Sequence, residues 1–102
     1  MRHKVTFRPA ARADLKRIYN YIADNAGSAR AGSYLERIVG CCETLRNFPE
    51  RGTRRDDLQP GLRTMGFERR ATIAFRVLQA EVEIVRVLYG GRDLDAHLRD
   101  RG

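Results

Sequence analysis

Ala71-Thr72-Ile73-Ala74-Phe75-Arg76-Val77-Leu78, Gln79-Ala80-Glu81, Val82-Glu83-Ile84-Val85-Arg86-Val87-Leu88-Tyr89: these consecutive residues decide the fold. In the first run Ala71, Ile73, Phe75 and Val77 share one face at the two-residue period of a strand. In the last run Val82, Ile84 and Leu88 share a face, opposed by Val85, Val87 and Tyr89, and doubly apolar strands of this kind lie inside a sheet. The Gln79-Ala80-Glu81 connection is too short for anything but a hairpin. Leu62 to Phe67 supplies a further strand ahead of them, so the C-terminal half reads as a three-strand meander.

Moving toward the N-terminus, residues 49 to 61 combine prolines, glycines and clustered charge and read as a surface loop. Before it, Ala31, Tyr34, Leu35, Ile38, Cys42, Leu45 and Phe48 recur at helical spacing up to Pro49, predicting a helix of ~20 residues. An earlier stripe of Ala11, Leu15, Ile18 and Ile22, opened by Pro9, predicts a helix over roughly 10–25. Gly27 is suited to end the first helix and Ser28 to cap the second, which makes the pair an αα-hairpin. His3 to Arg8 alternates, with Val5 and Phe7 on one side, and predicts an N-terminal strand.

The expected class is α+β in the order β-α-α-β-β-β: an N-terminal strand and an αα-hairpin packed on an antiparallel sheet completed by the meander. The pattern does not place the first strand within the sheet. Asp93 to Gly102 is left as a short polar helical turn or a frayed tail.

A chain of 102 residues has the length of one domain, taken here as 1–102. Its net charge of +7 points to anionic partners: nucleic acid, an acidic protein segment or a membrane surface. Cys41 and Cys42 are adjacent, and on a helix their side chains diverge by about 100°, which opposes a mutual disulfide and favours a reduced, cytoplasmic setting. The basic Met1-Arg2-His3-Lys4 start is followed by Arg8-Pro9 rather than a long apolar run, so neither a signal peptide nor a membrane span is expected. No nucleophile elbow, phosphate-binding glycine loop or metal-ligand set is present: Gly90-Gly91 is only a turn, and Cys41-Cys42 lacks a second ligand pair. Metal, nucleotide and redox cofactors are not expected.

The order of elements, together with Ala13-Asp14-Leu15 and Ile18-Tyr19-Asn20-Tyr21-Ile22 in the first helix, Leu45-Arg46-Asn47-Phe48-Pro49 through Gly52, Ile73-Ala74-Phe75-Arg76-Val77, and Arg86-Val87-Leu88-Tyr89-Gly90-Gly91-Arg92-Asp93-Leu94, resembles the ParE branch of the ParE/RelE toxin superfamily. The likeness spans nearly the whole chain. It implies a small bacterial toxin silenced by a neighbour-encoded, ParD-like antitoxin whose acidic C-terminal segment wraps over it. ParE-like members poison DNA gyrase on cleaved DNA, whereas RelE-like members cut messenger RNA in the ribosomal A site.

RNA cleavage by 2′-hydroxyl attack needs a base, an acid and cations around the phosphate. RelE-like ribonucleases tend to carry a Tyr-Arg pair early in the middle strand, and Ala71 and Thr72 stand there in this chain. Tyr89 occupies a place where many relatives have histidine, and an ordinary phenol is a poorer base at neutral pH than imidazole. Were the chain a ribonuclease, Arg76, Arg86, Tyr89 and Arg92 would have to supply the chemistry. His3 and His97 have no identifiable partner in the sequence and read as surface residues; Cys42 reads as core.

Arg51, Arg54 and Arg55, mixed with Asp56 and Asp57, read as a solvated surface. Arg69 and Arg70 occupy a short turn from which they can project toward an anion. Arg76 and Arg86 each either face solvent on an uncovered sheet surface or pair with a carboxylate such as Glu83, and Arg92-Asp93 is either a local ion pair or part of a basic face. The functional reading groups Arg69, Arg70, Arg76, Arg86 and Arg92 as the surface that meets gyrase or nucleic acid. A second surface, for the antitoxin, is expected on the first helix at Arg12, Lys16, Arg17, Tyr19, Tyr21 and Ile22. The leading expectation is a gyrase poison rather than an enzyme. Its rivals are a ribosome-dependent endoribonuclease and a non-toxic protein that only tethers the antitoxin.

Overall fold

The computed structural model describes residues 3–90 and 94–98. Lys4–Phe7 forms β1, and Pro9, pre-set for a first helical turn, opens α1 (Pro9–Ala26). Gly27, at φ +95°, both ends α1 and begins α2 (Ser28–Glu43). Ser28 is thus the first residue of α2 rather than its cap. The chain tightens into a 3₁₀ turn at Thr44–Arg46, and this change of pitch ends the helix earlier than its apolar stripe suggests. Leu45 stays buried, whereas Phe48 swings out to 65% exposure instead of continuing the stripe.

The charged segment before the meander is not all loop: Thr53–Arg54 pairs with the next strand as β2. Then come β3 (Leu62–Phe67), β4 (Ala71–Val77), β5 (Glu81–Tyr89) and a short α3 (Leu94–Leu98). One five-stranded sheet runs β1-β5-β4-β3-β2. The expected α+β architecture is present, and β1 takes its place beside β5, parallel to it, with Val5 opposite Val82 and Phe7 opposite Ile84. The other pairings are antiparallel, so the sheet is mixed.

Between β4 and β5, Ala74 faces Arg86 but Phe75 faces Ile84, leaving Val85 as an extra, bulged residue. The bulge shifts the side-chain phase. Val82, Ile84 and Val87 consequently share the core under the helices with Ile73, Phe75, Ile18, Tyr34 and Ile38. Val85 and Leu88 face the opposite side, where Leu58, Leu62, Ala74 and Leu98 form a second cluster. The face away from the helical hairpin is therefore partly covered, by the segment around Leu58 and by α3, rather than left open. Each fully buried aliphatic or aromatic side chain in these clusters contributes about 2 kcal/mol. Among the described residues, no helix is long and apolar enough to cross a membrane.

Candidate functional site: an aromatic and arginine groove at the end of the sheet

Because β1 stops opposite Ile84, the outer edge of β5 beyond that point has no strand beside it. Helix α1 crosses there and presents Asp14, only 3% exposed, in phase with buried Ala11 and Ile18. The Asp14 carboxylate accepts the Val87 N–H at 2.9 Å, so the buried edge amide is satisfied by a side chain instead of a strand. The Arg86 guanidinium donates to both carboxylate oxygens, at 2.7 and 2.8 Å, and Arg17 donates at 2.9 Å. Burial works to raise the Asp14 carboxyl, but Arg86, the Val87 amide and Arg17 together outweigh it and hold it below the ordinary value.

One turn further along α1, Tyr21 follows the Ala11, Asp14, Ile18 line past the body of the sheet, where Tyr89 at the end of β5 receives it. Their ring centroids are 5.9 Å apart. Tyr89 lies edge-on to Tyr34 of α2 at 5.7 Å, and Tyr34 in turn lies edge-on to Phe67 at 5.5 Å, so four aromatic rings run from the exposed helix flank into the core. Ala71, the cross-strand partner of Tyr89, adds no bulk beyond its methyl group. Burial pushes the Tyr34 phenol up to about 12. Tyr21 remains 58% exposed.

The β3–β4 hairpin closes the other side. Glu68 and Arg69 both adopt positive φ, +48° and +58°, and the Arg70 N–H donates to the Phe67 carbonyl at 3.1 Å, the geometry of a type I′ turn without its usual glycine. Arg37 of α2 grips Glu68 through two hydrogen bonds of 2.8 and 3.1 Å while lying 5.5 Å from the Tyr34 ring centroid. The hairpin tip is thereby tied to the helix. The resulting groove, about 560 Å³, is lined by Tyr21, Ile22, Tyr34, Tyr89, Arg30 and Arg70 among others. Its one acidic side chain, Glu68, is held by Arg37, and among the described residues Arg30, Arg69 and Arg70 have no carboxylate partner.

The two surfaces expected from the sequence are only partly separate. Tyr21 and Ile22, expected to meet the antitoxin, share the groove with Arg70 and Tyr89, and an adjoining hollow adds Arg69. Arg17 lines a further recess beside Tyr21 and Tyr89, with its guanidinium bound to Asp14. Arg12 and Lys16 are exposed and Tyr19 is half-buried, none of them lining the groove.

The five arginines expected to form one target face are not all brought together. Arg76 and Arg86 line a different cleft, with Arg8, Gln59 and His97, against the face bearing the second cluster. Neither pairs with Glu83, which lies 3.7 Å from Arg8. Arg86 belongs to Asp14, and Arg76 donates to the Gln59 side chain, whose amide in turn donates to the Leu98 carbonyl at 2.6 Å. His97 is half-buried in this cleft rather than fully solvated. Arg92 and its pairing with Asp93 lie outside the described residues.

Sequence reasoning missed Asp14, Arg30 and Arg37. The available signal for the first was a lone carboxylate in the buried phase of a helix and a lone guanidinium in an apolar strand. For the other two it was a pair of arginines seven apart on the exposed flank of α2. Among the described residues, no group of three or more His, Cys, Asp or Glu side chains converges to hold a metal ion.

Residues 5–94 match the family described as the ParE toxin of the type II toxin-antitoxin system, parDE. The chain is 35% identical over 85 residues to Toxin ParE3 of Caulobacter vibrioides, covering 83% of this chain and 84% of that one. It also superposes on a solved chain of the chromosomal ParDE TA system from P. aeruginosa with a TM-score of 0.76 at 28% identity, covering 86% of this chain and 96% of that one. With the strand, helical hairpin and meander in place, and nearly all of them inside the matched region, the chain belongs to the ParE toxin family of type II toxin-antitoxin systems.

Proposed function

We propose that this protein acts in the cytoplasm as a poison of DNA gyrase, and that a ParD-like antitoxin holds it inactive by laying an acidic segment over the Tyr21–Tyr89 end of the sheet. Membership of the ParE family and the net charge of +7 support both halves of this reading. The poison works by occupying a surface of its target rather than by turning over a substrate. The observation that carries this choice over RNA cleavage is the commitment of Arg86: its guanidinium is bound at both carboxylate oxygens by Asp14. A phosphate would have to displace a buried carboxylate to use it.

Of the other candidate ribonuclease residues that the structure describes, Arg76 and Tyr89 do not converge either. Arg76 sits in the other cleft, and Ala71 and Thr72 offer no cation beside Tyr89. The convergence of Tyr21, Ile22, Arg70 and Tyr89 gives the antitoxin a simple way to silence the toxin, since a segment seated there covers the cations that would meet the target.

Purified antitoxin-free protein mixed with gyrase, ATP and supercoiled plasmid, then trapped with detergent, is expected to yield linear DNA that a no-gyrase control lacks. Unchanged plasmid with active gyrase and folded toxin, together with messenger cleavage on translating ribosomes, would overturn the reading in favour of a ribonuclease.

A further inference from the structure

From the same groove we infer that the protein binds an unpaired nucleic-acid strand directly, stacking a base on the exposed Tyr21–Tyr89 pair and holding the adjoining phosphates with Arg30, Arg69 and Arg70. The inference deepens the reading above and rests on it only for its biological setting, in which gyrase holds cleaved DNA. Three observations point to a nucleic acid rather than to an acidic peptide alone.

First, Tyr21 is an aromatic side chain 58% exposed on the C-terminal half of α1, held at 5.9 Å and a 59° tilt against the half-buried Tyr89 ring, and therefore a preformed aromatic surface open to a base. Base stacking on such platforms is sequence-tolerant, because every base has a π-face of its own. Secondly, the platform is flanked on both sides by arginines that no carboxylate neutralises among the described residues: Arg30 from α2, Arg69 and Arg70 from the hairpin. Rings and guanidinium groups lining one groove suit the bases and phosphates of a strand. Thirdly, the hairpin carrying two of those arginines is fixed, by the Arg37–Glu68 bridge and by the Gly90 N–H donating to the Arg70 carbonyl at 2.9 Å. The backbone that carries these cations thus needs little ordering when the strand arrives. A volume of about 560 Å³ lies within the size range of ordinary ligand clefts.

The test uses the full chain without gyrase or antitoxin. A fluorescein-labelled single strand of roughly ten nucleotides, within the usual site size, is titrated by anisotropy beside the matched duplex and a labelled Asp/Glu-rich peptide of equal charge. The single strand is expected to bind more tightly than the duplex. Tyr21→Ala is expected to weaken it by about tenfold and Tyr21→Phe to retain it. Arg70→Gln should weaken binding and lower the slope of log K against log salt by about 0.7, whereas Arg54→Gln, on β2 outside the groove, should leave the affinity nearly unchanged. Tyr21 and Arg70 are both exposed, so their variants keep the fold, which thermal melts verify.

Equal affinity for strand and duplex, indifference to Tyr21→Ala, or binding of the acidic peptide without binding of the strand would each overturn the inference. A failure here with gyrase-dependent linear DNA still forming would leave the poison reading standing. Strand binding without gyrase-dependent cleavage would do the reverse.

Discussion

Asp14 and Arg86, 72 positions apart in the chain, meet in a two-point ion pair of 2.7 and 2.8 Å that fastens α1 to the open edge of β5. The same carboxylate accepts the Val87 amide, so one side chain closes both the charge and the backbone accounts of that edge. Asp14→Ala should lower the unfolding free energy by about 3 kcal/mol, because it strands a guanidinium only 18% exposed and a buried N–H together. Replacing both partners, Asp14→Leu with Arg86→Met, should recover part of that loss but not all, since the Val87 amide still lacks an acceptor. Urea denaturation of the native protein and the two variants checks the order.

Acid should weaken the same fastening. With its pKa held below the 3.8 of a free aspartyl side chain, the Asp14 carboxylate gives its full stabilisation above that value and loses it as pH falls through the folded-state pKa. Urea midpoints of the native protein should therefore fall steeply below about pH 4, and those of Asp14→Asn should fall less over the same window. Parallel pH profiles for the two proteins would contradict this assignment.

Local pattern makes most of the fold legible in the sequence. Ala71, Ile73, Phe75 and Val77 alternate as a strand must, and Ala11, Leu15, Ile18 and Ile22 trace a helix face, so element types followed from period alone. The position of β1 did not follow, because pairing Val5 with Val82 is a contact between distant segments that nothing local encodes. The Val85 bulge defeated simple alternation in β5, placing Leu88 opposite the face expected of it. At the site, Tyr21, Arg69 and Arg70 were legible as exposed aromatic and cationic residues, and Ile22 as apolar surface beside Tyr21. Their meeting in one groove was not, since it depends on α1 running past the sheet to reach the β3–β4 turn.

Two glycines should respond oppositely to alanine. A Cβ on Gly52 would lie 2.3 Å from the Thr64 carbonyl oxygen, at φ +77°, in the turn that brings β2 onto β3. Gly52→Ala should cost about 2 kcal/mol or more, since neither the backbone angle nor the neighbour can give freely. Gly40, inside α2 with nothing within 4 Å of a Cβ, should show a gain of roughly 0.5–1 kcal/mol on the same change. Thermal melts of the two variants separate the effects by sign.

The thiols should be quiet. Burial pushes Cys42 up to about 12 and also raises half-buried Cys41, so neither carries appreciable thiolate at neutral pH. Iodoacetamide at mildly alkaline pH should leave the native protein almost unmodified and label both cysteines in denaturant, as mass spectrometry would record. Rapid labelling of Cys42 in the native state would contradict its place in the core.

Tyr34 should tolerate loss of its hydroxyl. Its Oη is buried and has no hydrogen-bond partner among the described residues, while its ring packs against Phe67, Tyr89 and the Arg37 guanidinium. Tyr34→Phe keeps the packing and removes the unpaired group, so stability should be unchanged or higher by up to about 1 kcal/mol. Tyr34→Ala, which removes the ring, should cost about 3 kcal/mol or more.

The central claim is that the toxin meets its target through the Tyr21, Arg70 and Tyr89 end of the sheet and not through the cleft holding Arg76. The most direct measurement is gyrase-dependent plasmid linearisation by antitoxin-free protein carrying either Arg69→Glu with Arg70→Glu, or Arg76→Gln. Loss of linear product in the first protein and its retention in the second is the predicted result. Full activity in the first protein, with both variants folded, would contradict the claim.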